Sequence, residues 1–432
     1  MSMGKIFNQN AKGNMMTGRE KLRRALRHED GPVPFDLGST GVTGMHVTCV
    51  AALRAYYGLE ARPVKLCEPY QMLGWFDDDL LAAIGADMVG LSGKGTLFGF
   101  RNDEWTPFRL PWGQEVLVST QFKTTSDGAG GLLIYPQGDA TAPPSGHLPA
   151  GGFYFDAIIR QEPIDEDRLD PADNLEEFSP ISDQDLADLE EEKQRLAPGD
   201  RALIGGFGIL ELGNVALVPA PFLKYPRGIR DITEWYISTA VRRDYLHQVF
   251  ARQTEIALEN LARLYATIGD AVDTVYICGT DFGTQSGTFC APATFRELYA
   301  PYYRQVNDWI HAHTPWKTFK HSCGAVAEFI PEFIDVGFDI LNPVQCSAAG
   351  MSPQSLKAQF GAQMVFWGGG VDTQYTLPFA TPAEVRAQVL ERCRLFSPDG
   401  GFVFSAVHNI QANTPVDNIV AMIAAVREFN GE

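Results

Sequence analysis

The stretch "DTVYICGTDFG", residues 273–283, is an apolar run that halts at a glycine and turns polar at once. A strand buried on both faces reads this way, because helices packed on each side of a parallel sheet leave no solvent face for polar residues. Working outward, the same pattern recurs in "RALIGGFG" (201–208), "WKTFKHSCG" (316–324), "DILNPVQ" (339–345), "QMVFWGGGVD" (363–372) and "GFVFSAVHNI" (401–410). Sequence of helical character lies between them. "VPFDLG" (33–38) and "ADMVGL" (86–91) bring the runs to eight. Eight strands with crossover helices predict an α/β chain closed into a (β/α)8 TIM barrel. An open doubly wound sheet is the rival, weakened because no G-x-G-x-x-G follows an early strand.

In a parallel barrel the C-terminal ends of all strands open on one face, where reactive groups gather. Seven of these runs end in a polar or glycine-rich cluster: Asp36, Gly206 to Gly208, Asp281 with Thr284 and Gln285, His321 with Cys323, Asn342 with Gln345 and Cys346, Gly368 to Asp372, and His408 with Asn409 and Gln411. One such cluster is ordinary turn chemistry. Their recurrence from strand to strand predicts a shared pocket. Asp281 and Asp372 are the candidates for proton handling. Asp36, Gln285, Asn342 and Gln345 are the candidates for holding a substrate.

His321-x-Cys323 is the one place where a histidine and a cysteine stand two apart on a turn, with Gly324 free to bend the chain. Zinc takes thiolate and imidazole ligands in a tetrahedral shell, and a catalytic zinc keeps one position open. The pair alone also fits a core histidine beside an inert thiol. A third ligand must come from elsewhere: His408 by position, or Cys346 beyond the next strand. Asp281 could ligate, or orient a ligand from behind. Cys278 reads as core, and Cys49, Cys67, Cys290 and Cys393 sit in helical or loop stretches without partners.

The chain has 432 residues, 45% hydrophobic and 20% charged, enough for a sizeable core. Its net charge of -18 argues against nucleic acid and anionic membrane surfaces as partners, since both would repel it. No apolar run reaches membrane-spanning length. The first residues are polar and lack a signal-peptide core. Seven scattered cysteines do not form a disulfide framework. A cytoplasmic location is the expectation. Residues 1–16 are expected to be a flexible tail and 17–432 a single barrel domain. An aromatic hairpin and loop insertion is expected at about 94–160, where Trp105, Phe108, Trp112, Tyr135, Phe153 and Tyr154 wall a substrate or form a hairpin core. "SDQDLADLEEEKQRLA" (182–197) reads as a helix with a solvated acidic face.

Several stretches resemble the uroporphyrinogen decarboxylase superfamily, specifically its cobalamin-dependent methyltransferase branch. They are "MTGREKLRRALRHEDGPVPFDLG" (16–38), "DFGTQSG" (281–287), "HSCGAVAEFIPEFIDVGFDILNPVQ" (321–345), "FWGGGVDTQ" (366–374) and "NTPVDNIVAMIAAVREF" (413–429). The resemblance implies a (β/α)8 barrel. Its methyltransferase branch implies zinc held by a His-x-Cys pair, matched by His321 and Cys323, plus a later cysteine shortly before Thr-Pro. This chain departs there: the residue six before Thr414 is His408. An imidazole in place of a thiolate leaves zinc more electrophilic, which suits the release of an ether or alcohol oxygen. Two methyltransferase chemistries are open: zinc that lowers the pKa of a bound thiol such as coenzyme M, or zinc that stabilises a leaving ether or alcohol oxygen. The donor set favours the second, O-demethylation, in which a methyl group moves from a methoxylated small molecule, aromatic or otherwise, to Co(I) cobalamin on a separate corrinoid protein docked at the strand-end face. A homodimer is implied by the resemblance alone. The decarboxylase branch implies no metal and a substrate bound through arginines, for which Arg23, Arg24 and Arg27 are the candidates. A barrel that binds a small molecule or a corrinoid protein without turnover is the remaining reading.

Overall fold

The structure is a computed structural model that describes residues 16–175 and 178–432. Nearly all of the tail expected at 1–16 therefore lies outside the described residues. Seven parallel strands form one curled sheet. In spatial order they are Met88–Ser92, Ala202–Gly206, Thr274–Cys278, Lys317–His321, Ile340–Asn342, Val365–Trp367 and Phe402–Val403. The run at 33–38 closes the ring as the eighth. Phe35 bridges Phe404 in parallel, the Asp36 amide donates to the Phe404 carbonyl, and the Asp87 amide donates to the Phe35 carbonyl. This run is reduced to a single bridge because Pro34 has no N–H to give the ladder. The chain is thus a (β/α)8 barrel.

Period-two alternation decides what faces the barrel axis. Met88, Ala202, Ile204, Phe319, Ile340, Val365, Trp367 and Val403 form an inner core. The intervening residues, such as Leu203, Val275, Leu341 and Phe366, join the outer core against the helices. Two residues on from Phe319 and Ile340, the same inward face presents His321 and Asn342, which are paired in register. Local sequence sets the site one layer above the apolar plug.

The other end is stoppered. Helix Gly18–Leu26 starts at Thr17, which forms a capping box with Glu20, a device worth about 1 kcal/mol. Its Leu22, Ala25 and Leu26 pack into the inner core. Lys21 pairs with Asp87 at 3.2 Å and with Glu432 at 2.6 Å. The acidic stretch at 182–197 is helix Asp183–Leu196, capped by Ser182.

Between Met88–Ser92 and Ala202–Gly206 the chain makes antiparallel hairpins. Trp105–Arg109 pairs with Glu115–Ser119, and Thr124–Ser126, Leu132–Ile134, Gly146–Leu148 and Asp156–Ala157 form a second sheet. Val64–Glu68 and Leu73–Gly74 also join the first hairpin, an attachment the sequence reading did not contain. Phe98, Phe108, Phe122 and Phe155 contact one another, and Trp112 and Phe153 pack on His46. Among the described residues, no helix is long and apolar enough to cross a membrane.

Candidate metal centre

The ligand-type atoms of His321, Cys323 and His408 all lie within 4.8 Å of one another. Cys323 Sγ is 3.3 Å from His321 Nε2, and the two imidazole rings stand edge to face with centroids 5.6 Å apart. Cys346 lies outside this set. Its Sγ contacts the Val344 carbonyl and lines a separate cleft.

The first ligand is oriented from behind. Asn342 Nδ2 donates to the Trp367 carbonyl at 3.0 Å, so its Oδ1 is the atom that meets His321 Nδ1 at 2.7 Å. That oxygen accepts, so Nδ1 carries the ring proton and the Nε2 lone pair faces Cys323 and His408. Burial holds both imidazoles down to about 4, so they are neutral at pH 7. Neutral imidazole is the form that ligates.

The loop carrying Cys323 is locked to the one before it. The Cys323 amide donates to Asp281 Oδ1 at 2.6 Å, and the Phe282 amide donates to Ser322 Oγ at 2.9 Å. A Cβ on Gly324, whose φ is +88°, would lie 2.5 Å from the Gly283 carbonyl carbon. Only glycine tolerates both that conformation and that approach. Gln345 Oε1 accepts from the Gly324 amide, and its Nε2 donates to Gln285 Oε1. Asn342, Gln345, Gln285 and Asp281 therefore converge on His321 and the loop that carries Cys323. Asp281 Oδ1 is also 4.0 Å from His321 Nε2. Burial pushes the Cys323 thiol well above its ordinary range, with the Asp281 charge adding to the effect. The Asp281 carboxyl is likewise raised by burial.

Two expected site residues stand apart. Asp36 is fully buried; its carboxylate accepts from the Ser39 amide and from Trp367 Nε1, tying the closing strand to the barrel interior. Asp372 accepts from the Gln374 and Tyr375 amides and lines the same separate cleft as Cys346. The decarboxylase candidates lie at the stoppered end: Arg23 pairs with Asp273, just before a strand begins, Arg24 with the Asp30 carbonyl and Arg27 with Glu29.

Sequence reasoning missed Lys320 and Glu211. Lys320 alternates outward from His321, is wholly buried, and donates to the Thr280 and His321 carbonyls at 2.6 Å each. Its ammonium also sits 5.2–5.8 Å from the ring centres of Phe282, Tyr303 and Phe333. The period-two pattern from His321 was the signal that could have found it. Glu211 follows the Ala202–Gly206 strand. Its Oε2 accepts from Asn214 Nδ2 at 2.9 Å and from the Gly279 amide at 3.3 Å. Burial pushes its carboxyl up to about 7.

These residues fit a zinc ion by donor type: two neutral imidazoles and one thiol, with a hydrogen-bonded shell behind them. Comparison with known proteins gives three findings. Residues 225–429 match the uroporphyrinogen decarboxylase (URO-D) family model. Among solved structures, a methyltransferase from Methanosarcina mazei is similar over 96% of this chain and 99% of its own, with a TM-score of 0.53 and 16% identity. The endo-1,4-beta-xylanase XylE of Penicillium canescens covers 58% of this chain and 80% of its own, at TM-score 0.32 and 10% identity, too distant to inform the fold. No curated protein matches. The likeness to the Methanosarcina protein is one of fold, and the similarity to the uroporphyrinogen decarboxylase family is carried by residues 225–429, just under half of the chain.

Proposed function

We propose that the protein is a zinc-dependent methyltransferase of the O-demethylase type. It moves a methyl group from a methoxylated small molecule to the Co(I) cobalamin of a separate corrinoid protein. The observation that carries this reading is the meeting of His321, Cys323 and His408 at the strand-end face, with the His321 proton fixed on Nδ1 by Asn342. A zinc ion held there would supply Lewis acidity toward an ether or alcohol oxygen.

The chain's own residues have separate tasks. Asn342 keeps His321 Nε2 unprotonated. Asp281 fixes the backbone at Cys323, and Lys320 fixes the carbonyl of His321 from the outer layer. Cys323 is a thiol in the metal-free protein, so loading releases one proton. The leaving oxygen keeps the electron pair of the broken C–O bond and requires a proton. We assign that proton to Asp281, whose carboxyl is raised by burial and whose Oδ1 lies 4.0 Å from His321 Nε2, beside the candidate ligands.

Decarboxylation is the second reading, favoured by the name of the matching family. It needs cations converging on a substrate, and Arg23, Arg24 and Arg27 are engaged at the opposite end. Elemental analysis of the purified protein, followed by the Co(I) absorption spectrum of a corrinoid protein with methoxylated donors, tests the proposal. About one zinc per chain and a donor-dependent loss of the Co(I) bands are expected. A metal-free protein with chelator-resistant decarboxylase activity would replace it. A Co(I) spectrum that never changes would leave only a binding barrel.

A further inference from the structure

A cleft of about 220 Å³ opens beside the candidate metal centre, between the segments that follow three consecutive strands, Ile340–Asn342, Val365–Trp367 and Phe402–Val403. Cys346, Gly369, Asp372, Gln388, Arg392 and Val407 are among its lining residues. Val407 precedes His408, so the cleft and the metal set share one segment of chain.

Its chemistry is incomplete. The Arg392 side chain is 16% exposed, and its nearest carboxylate is Glu391 at 3.7 Å. Its guanidinium makes no hydrogen bond among the described residues, although it carries five donors. Gln388 uses its Oε1 to accept from the Asp372 amide, which leaves its amide N–H groups as donors. Asp372 Oδ1 is satisfied by two backbone amides, but Oδ2 is buried with no partner. A largely buried guanidinium with no hydrogen bond, held only by a longer ion pair to the exposed Glu391, and a buried carboxylate oxygen without a donor are both costly to leave so. A planar guanidinium suits carboxylate and phosphate oxygens. The loops after the last strands of a (β/α)8 barrel are also a frequent place for such anions.

We propose that this cleft binds a small molecule carrying an oxyanion, carboxylate or phosphate, on Arg392 and Gln388, and a hydroxyl that donates to Asp372. The volume suits a compound of about one ring, since a 150 Å³ cavity accommodates benzene. The inference stands apart from the metal reading, because Arg392, Gln388 and Asp372 are not in the His321, Cys323, His408 set.

Calorimetric titration of the whole protein at low ionic strength tests it, using 4-hydroxybenzoate, benzoate, phenyl phosphate and phenol. The expected order is 4-hydroxybenzoate tighter than benzoate, with phenol not detected; benzoate against phenyl phosphate identifies the preferred oxyanion. Arg392→Gln should weaken all anionic ligands roughly tenfold or more. Asp372→Asn keeps an oxygen for the two backbone amides, and it should erase the advantage of 4-hydroxybenzoate over benzoate. Unchanged thermal melting of both variants excludes misfolding as the cause. The proposal falls if no anionic ligand binds at millimolar concentration, or if Arg392→Gln binds them as the native protein does.

Discussion

The two ends of the barrel are built on opposite rules. At the stoppered end, charges meet partners: Lys21 lies between Asp87 and Glu432, and Arg23 binds Asp273. At the open end, titratable groups are gathered without ion pairs to cations. His321 and His408 are held neutral by burial, Asp281 and Glu211 are raised by it, and Cys323 remains a thiol. The comparison teaches where stability and reactivity are kept. Paired charges at one end pin the strands, and the cost of unpaired polar groups is carried at the other, where ligands can relieve it.

Variants at each end should break this contrast if it is false. Cys323→Ala has the largest expected effect on the open end: metal content falls to background, while melting temperature in the metal-free state barely moves. Retention of full metal would mean that the ligand set is misassigned. At the stoppered end, Asp87→Ala leaves Lys21 with Glu432 alone and removes the acceptor for the Phe35 amide. It should cost about 3 kcal/mol in denaturant unfolding and leave metal content intact. Equal effects of these two variants on metal and stability would erase the division between the ends.

Asn342→Leu frees the His321 ring without touching a ligand. Zinc affinity, read by competition with a chromogenic chelator, should fall by about 10- to 100-fold. The smallest effect belongs to Glu211→Gln and depends on pH. Glu211 has a folded value of about 7 against an ordinary 4.5, so the native side chain favours folding below the unfolded value and loses that contribution as pH rises through 7. The variant should be more stable than the native protein by on the order of 2 kcal/mol at pH 8, allowing for its partial exposure. The two should converge below pH 4.5. A difference independent of pH would show that Glu211 is ionised throughout.

The barrel was legible because its strands are buried on both faces and so read as unbroken apolar runs. The closing strand was legible as a run but not as a single bridge, since the ladder depends on neighbours distant in sequence. His321 and Cys323 stood out by residue type and spacing. The choice between His408 and Cys346 was not legible. Both follow strands, and only the packing of Cys346 against Val344 and Gly369 turns its thiol to another cleft. Strand-end carboxylates such as Asp36 look alike in sequence, whether they face the mouth or are buried beneath Trp367. Glu211 sits in "FGILELGN", where flanking apolar residues hide it. Its raised value comes from tertiary burial, which no local pattern records. The attachment of Val64–Glu68 to the hairpin sheet is equally non-local.

The helix Gly18–Leu26 makes the barrel a cup with one rim. Anything handled at its centre arrives and departs over the same edge. Whatever occupies that rim controls entry and exit together, so two molecules that both need the centre would have to take turns.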